Sequence, residues 1–337
     1  MGSDKISFAI GATDRFSNST NPNGIYSARI LVDSILQSAF ILDRIGYYET
    51  RYLNAQIDYR YKFNGGAYLQ HLSPLPGDRS TVYNTPDNDG LLHFTDNEIH
   101  NIRIEVRDAK RNLSVLEFSV QYEPGIQTSQ VYFSNQFLPE NVNVFESEAF
   151  EVFTSEYSIY DTVNIAHTVS EVAAVNAISP LNIFCSAAIP IHDSVTIRIK
   201  PNVEIAEEDK KKVIIKSVAG NRTVIKKTQW QHDWLAAKFR QFGSFQAFID
   251  NEPPTINTPQ ADLTRATRIV FSPKDNFKTI KKFRAELDGQ WLRFTNDKGL
   301  SHIYRFDEKF PRGEHQLTVM IEDEAGNITT KTWSVRR

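Results

Sequence analysis

The sequence predicts a mostly β protein made of tandem antiparallel β-sandwiches, and three observations carry that prediction. Short runs rich in Val, Ile, Thr, Phe and Tyr alternate with polar residues and are broken by Asn, Asp, Gly and Pro along the whole chain. An ungapped internal repeat spells the same hairpin twice. The length of 337 residues, at about 150 per domain, calls for two to three domains rather than one core.

Ile102-Arg103-Ile104-Glu105-Val106, Val195-Thr196-Ile197-Arg198-Ile199 and Leu317-Thr318-Val319-Met320-Ile321 each place their apolar residues on one face of a pleated ribbon, so each needs a partner layer. Glu49 to Tyr61 and Trp234 to Gln241 have ambiguous apolar spacing, and both are read as candidate helices. The repeat aligns His100 to Val120 with His315 to Val335. It pairs Ile102 with Leu317, Ile104 with Val319, Val106 with Ile321, Phe118 with Trp333 and Val120 with Val335.

Between the two strands lie Asp108 to Asn112 and Asp323 to Asn327, where Asp bonds the turn backbone and Asn tolerates left-handed angles. Gly326 of the second turn is replaced by Arg111 in the first, which predicts different dihedrals there. A looser echo relates Arg29 to Asp33 with Arg284 to Gly289. A hairpin closing a unit of this size points to immunoglobulin or fibronectin type III-like sandwiches. Glu123-Pro124-Gly125 follows the first hairpin. Asp250-Asn251-Glu252-Pro253-Pro254 precedes the last unit, where the Pro pair enforces an extended link. Three domains follow: 3–122 with a Tyr-rich insertion, 126–250, and 254–337.

Composition narrows the function. With 38 Lys and Arg against 41 Asp and Glu, the net charge is −3, and no overall positive field exists to attract nucleic acid. The longest apolar runs fall far short of a membrane span. The single cysteine, Cys185, closes no internal disulfide, and its apolar neighbours predict a buried, inert thiol. Met1 to Lys5 contain no apolar leader core, which reads as a truncation point.

None of the eight histidines forms a His-x-His, His-Glu-x-x-His or Cys/His zinc spacing, and no local metal site is expected. His192-Asp193 and His232-Asp233 are the pairs that folding would have to complete. Asp87-Asn88-Asp89-Gly90 begins like a calcium loop but fails at Leu91 and Leu92, so a turn is expected. Gly65-Gly66 reads as a loop, and Lys210-Lys211-Lys212, Lys226-Lys227 and Lys281-Lys282 read as solvated turns and edges. The sequons at Asn18, Asn112, Asn221 and Asn327 carry no weight in so polar a chain.

The segment from Tyr47 to Tyr68 is the candidate ligand or partner surface. Tyr47, Tyr48, Arg51, Tyr52, Tyr59, Tyr61 and Tyr68 offer aromatic faces beside polar groups, suited to stacking on a sugar ring or gripping a protein. The structural alternative, that these rings cover a sheet or seal a domain interface, weighs more.

Several phrases occur together in order: Asn23-Gly24-Ile25-Tyr26-Ser27, Val32-Asp33, Glu49 through Tyr59, Leu75-Pro76-Gly77-Asp78-Arg79, and Asn88-Asp89-Gly90 with Phe94-Thr95-Asp96. Further on come Trp234 through Phe245, the Asp250 to Ile256 linker and Asp288-Gly289-Gln290-Trp291. This resembles the region after the catalytic domain in secreted lysostaphin-type peptidoglycan endopeptidases of Bacteroidetes, family twenty-three of the metallopeptidases, over nearly the whole chain. That family holds zinc with a His-x-x-x-Asp and a His-x-His motif. Here His167-Thr168-Val169-Ser170-Glu171 is the nearest approach to the first, and no His-x-His follows. The resemblance thus implies a non-catalytic, carboxy-terminal portion that positions or regulates the hydrolase, or binds cell wall or an envelope protein. It places zinc and the peptidase domain upstream of Met1 and the parent protein in the periplasm or envelope. The alternative expectation is a carbohydrate-binding or adhesin-like β-sandwich protein.

Overall fold

The computed structural model describes residues 3–15, 18–86, 89–123, 135–171, 174–299, 301–308 and 310–337. Pro124 and Gly125 of the first boundary, and Asp87 and Asn88 of the rejected calcium loop, lie outside the described residues. Among the described residues no helix is long and apolar enough to cross a membrane.

The chain is an antiparallel β-sandwich protein with three principal hydrophobic clusters. The first is built on a five-stranded sheet in the spatial order Tyr83–Asn84, Ile35–Ile41, Ser27–Val32, Ile99–Arg107, Leu113–Gln121. Ile30, Phe40, Ile102 and Ile104 point into its core by two-residue periodicity. Phe8, Leu72, Leu92 and Phe94, from or beside the short pairs Lys5–Ile6/Leu92–His93 and Ala9–Ile10/Gln70–His71, cover the other side. The outer face carries ion pairs, with Glu105 bridging Arg29 at 2.6 Å and Arg103 at 2.9 Å, beside exposed Ile41, Leu113 and Val115.

The central module has two five-stranded sheets. One runs Asn143–Glu146, Phe150–Thr154, Val195–Ile199, Trp234–Phe239, Gln229–Gln231; the other runs His167–Ser170, Leu181–Phe184, Gly243–Ile249, Val213–Ala219, Arg222–Lys227. Phe150, Ile197, Leu235 and Phe239 from the first meet Phe184, Val213, Ile215 and Phe245 from the second, all essentially without solvent contact. Burying each such side chain contributes about 1.5–3 kcal/mol. The helix expected from Trp234 to Gln241 is instead a strand over Trp234–Phe239. The reason is its neighbour: Ile197 pairs with Ala237, and the period-two set Leu235, Ala237, Phe239 fills the core that a helix would leave open.

The last module pairs a four-stranded sheet, Gln290–Leu292, Lys282–Leu287, Glu314–Glu322, Ile328–Arg336, with a three-stranded one, Arg268–Phe271, Ser301–Arg305, Thr295–Asp297. Phe271, Ala285, Leu317, Val319 and Ile321 form its centre. The repeated hairpins share register: Ile102 faces Phe118 as Leu317 faces Trp333. Their turns match too. Asn112 N donates to Asp108 Oδ1 at 2.8 Å, and Asn327 N donates to Asp323 Oδ1 at 2.8 Å. Arg111 (φ 67°) has a positive φ as Gly326 (φ 88°) does, so the left-handed backbone at this position does not depend on glycine. The Asp–Asn bonds close the turn around that residue whatever side chain it carries.

Candidate functional site at the module junctions

The aromatic insertion leaves the first sheet after Ile41 and contains a 3-10 turn, Tyr47–Tyr52, and two short helices, Leu53–Gln56 and Tyr59–Phe63. The helical expectation for Glu49 to Tyr61 thus holds as separate turns, with extended Ile57 between them. Glu49 anchors the entry. Its buried carboxylate accepts from Gly46 N at 2.8 Å and from Thr81 N and Oγ1 at 3.2 and 3.1 Å. The Gly46 bond leads in holding its pKa below the usual carboxylate range. Asp58 caps the second helix by accepting from Tyr61 N at 2.9 Å.

Six of the seven candidate residues divide into two groups. Arg51 Nη2 and Nε donate to Ile191 O of the central module at 3.0 and 3.3 Å, and Tyr160 donates its hydroxyl to Arg51 O at 3.0 Å. Tyr52 stacks on His192 with ring centroids 4.3 Å apart. Burial, reinforced by Arg51, holds the His192 pKa down, which favours the neutral ring at the junction. Tyr47 (93 % exposed), Tyr48 (82 %), Tyr61 and Tyr68 face solvent instead. Tyr59 lies between the groups, stacked on Phe63 at 6.2 Å.

Residues that sequence reasoning did not assign complete this junction. Gly77 N donates to Tyr160 O at 2.7 Å, and a Cβ on Gly77 would lie 2.5 Å from Ile159 O. Only glycine lets the two backbones approach so closely. Arg79 sits 4.3 Å over the Tyr157 ring and 3.4 Å from Glu140. Beside the junction a cleft of 340 Å³ is lined by Asp58, Tyr59, Arg60, His71, Tyr160 and Asp161, among others. It joins an aromatic ring to both signs of charge, a chemistry suited to polar neutral groups such as sugar hydroxyls.

At the second junction, Ile214, Ile225 and Phe248 of the central module pack with Ala325 and Phe277 of the last. The Pro-Pro link is held down by Asn327, whose Nδ2 donates to Asp250 O at 2.8 Å, and by Thr329, whose hydroxyl donates to Pro254 O at 2.5 Å. The sequon at Asn327 is therefore a buried structural amide. Two lysines expected to be solvated belong here as well: Lys212 Nζ donates to Gly326 O and Lys227 Nζ to Ala325 O, each at 2.9 Å. They serve as donors to a turn whose carbonyls lack strand partners.

Four further histidines are separately employed. His100 and His315 bind Asp33 and Asp288, His167 stacks on Phe150, and His302 stacks on Phe283. His71 has its pKa lowered by burial. Cys185 is partly buried against the central core, and burial pushes its thiol up to about 11, leaving little thiolate at neutral pH. Among the described residues, the group of three able to hold a metal ion is Asp250, Asp275 and Asp323. From the sequence, Asp250 reads as a linker start and Asp323 as a hairpin turn, and Asp275 draws no reading. Asp250-Asn251 and Asp275-Asn276 share an Asp-Asn pair, whereas Asp323 is followed by Glu324.

Residues 134–250, essentially the central module, match the family model of a Zu5-like domain. No curated protein matches the sequence. Among solved structures, the chain aligns with a Bacteroides ovatus protein, SGBP-B of a mixed-linkage glucan utilization locus, in complex with a mixed-linkage heptasaccharide. Identity is 11 %, coverage 100 % of this chain and 70 % of that one, and the TM-score 0.18. It also aligns with the central fibronectin-III array of RIM-binding protein (11 % identity, 100 % of both chains, TM-score 0.20). A third alignment is with a 1.5-MDa bacterial ice-binding adhesin concerned with host cell surface retention (9 %, 94 % and 87 %, TM-score 0.16). Scores this low carry no functional weight.

Proposed function

We propose that this chain is a non-catalytic binding and positioning arm of the bacterial cell envelope, the accessory portion of a secreted zinc peptidoglycan endopeptidase whose peptidase domain lies upstream. The observation that supports it most is the split of the aromatic insertion. Arg51 and Tyr52 lock its inner half onto the central module, while Tyr47, Tyr48, Tyr61 and Tyr68 are held outward. Rings presented from an anchored segment bind with less ordering cost than rings on a free loop. Peptidoglycan or an envelope protein is the partner of that surface.

The test is co-sedimentation of the chain with purified peptidoglycan sacculi. Tyr48→Ala, Tyr61→Ala and Tyr68→Ala together should weaken retention roughly tenfold, about 1.4 kcal/mol, with an unchanged melting temperature. Undiminished retention rejects the surface. Zinc-dependent release of peptide fragments by the chain alone rejects the non-catalytic assignment. The cleft beside Tyr59 favours a second reading, a carbohydrate-binding or adhesin-like protein. Capture of a neutral soluble oligosaccharide that Tyr59→Ala abolishes would select it.

A further inference from the structure

We propose that Asp250, Asp275 and Asp323 form a site for a hard divalent cation of the calcium class, one that ties the last module to the central one. One oxygen from each carboxylate lies within 4.8 Å of the other two. That spacing fits oxygens gathered around an ion at about 2.3–2.6 Å, since two ligands on opposite sides of it are at most about 5 Å apart. The donor set is all oxygen, which suits calcium, magnesium or manganese rather than the nitrogen and sulfur ligands that zinc prefers.

Burial and hydrogen bonding point the same way. Asp250 and Asp323 are 2 % and 0 % exposed, yet among the described residues no lysine or arginine forms an ion pair with any of the three acids. Asp250 receives both of its hydrogen bonds on Oδ1, from Asn276 Nδ2 at 2.8 Å and Glu252 N at 3.3 Å, leaving Oδ2 without a donor. Asp275 receives Phe277 N at 2.9 Å and Thr279 N at 3.2 Å on Oδ2. Its Oδ1 is sealed from solvent and has no partner. Asp323 is fixed by Gly326 N, Asn327 N and Asn327 Nδ2 at 2.7–2.8 Å. Three carboxylates are thus oriented by neutral donors and two retain an undonated oxygen, while the nearby Lys212 and Lys227 give their ammonium groups to the carbonyls of Gly326 and Ala325 instead of pairing with the acids.

The placement has a mechanical consequence. Asp250 directly follows the last strand of the central module, Asp275 lies in the loop after Arg268–Phe271, and Asp323 opens the turn of the final hairpin. An ion held by all three joins both modules and the link between them. The first hairpin carries the same turn at Asp108 with no such partners among the described residues, so the site belongs to the junction and not to the turn.

The experiment is calorimetric titration of the chelator-treated full chain with calcium, magnesium and manganese chlorides, paired with thermal unfolding in calcium and in EDTA. The expected result is uptake of one calcium per chain, with the melting temperature rising by roughly 5 °C at saturating calcium. Asp275→Asn should weaken uptake at least tenfold. In EDTA it should melt no lower than wild type, because one of three like charges is gone. Absence of uptake of all three ions by wild-type protein at millimolar concentration overturns the proposal. Uptake that Asp275→Asn leaves unchanged overturns it equally.

Discussion

Arg111 occupies a left-handed backbone conformation that Gly326 occupies in the other copy of the same turn. A side chain there costs about 1–2 kcal/mol, while glycine loses about 0.5–1 kcal/mol more entropy on folding than alanine. Arg111→Gly should therefore stabilise the first module by about 0.5–1 kcal/mol, read as a higher urea midpoint at unchanged slope; a lower midpoint would refute the strain. A second residue-scale device also occurs twice. Asp33 Oδ2 lies 2.7 Å from His100 Nδ1, and Asp288 Oδ2 lies 2.6 Å from His315 Nδ1, each Asp also accepting a backbone N–H. The His100 pKa is raised by Asp33 and then Asp96, that of His315 by Asp288. Backbone bonds first and the histidines second lower Asp33 and Asp288. Protonated histidine favours the fold, so its contribution is complete below about pH 6.5 and disappears as pH rises through the raised value. The aspartate contribution is present above about pH 3.9 and is lost as pH falls through the lowered value. Converting His100 and His315 together to Gln should flatten the decline of the urea midpoint as pH rises above about 6.5; an unaltered slope would exclude these pairs as its source.

At the scale of elements, the repeated hairpin was legible because alternation, turn residues and pairing are all local. Trp234–Phe239 was not, since six residues with two alanines satisfy either period, and the choice falls to Val195–Ile199 alongside. The insertion between Ile41 and Tyr83 was legible as aromatic-rich, but which rings turn inward depends on Tyr160 and His192, far away in sequence. Two variants test that attachment. Gly77→Ala drives a methyl against Ile159 O and should part the modules locally. Arg51→Ala removes the bonds to Ile191 O and should lower the coupling by about 1.5–3 kcal/mol. Both should expose the insertion to limited proteolysis between Asp43 and Tyr68 while the first sheet stays folded. Resistance equal to wild type would mean that the attachment contributes nothing.

Across the whole molecule, three cores are joined at two places by different means. The first junction uses an arginine, stacked aromatic rings and a glycine contact; the second uses a small apolar cluster, a buried asparagine, two lysines and three acids. Phe277→Ala removes the ring set against Phe248 at 5.4 Å and should weaken the second junction without unfolding either module. Small-angle scattering should then report a larger radius of gyration, and still larger when Arg51→Ala is added. An unchanged radius in the double variant would show that the modules are held together by other contacts.

By itself the sequence determined the β character, the twin hairpins with their Asp–Asn turns and the aromatic character of the insertion, because each depends on neighbours within a few residues. Only the tertiary structure decided that Tyr52 is interfacial while Tyr48 is displayed, that Lys212 and Lys227 serve a junction, and that Asp250, Asp275 and Asp323 meet. Those outcomes depend on burial and on charges brought close by chain segments far apart in sequence, and neither spacing nor periodicity records such distances.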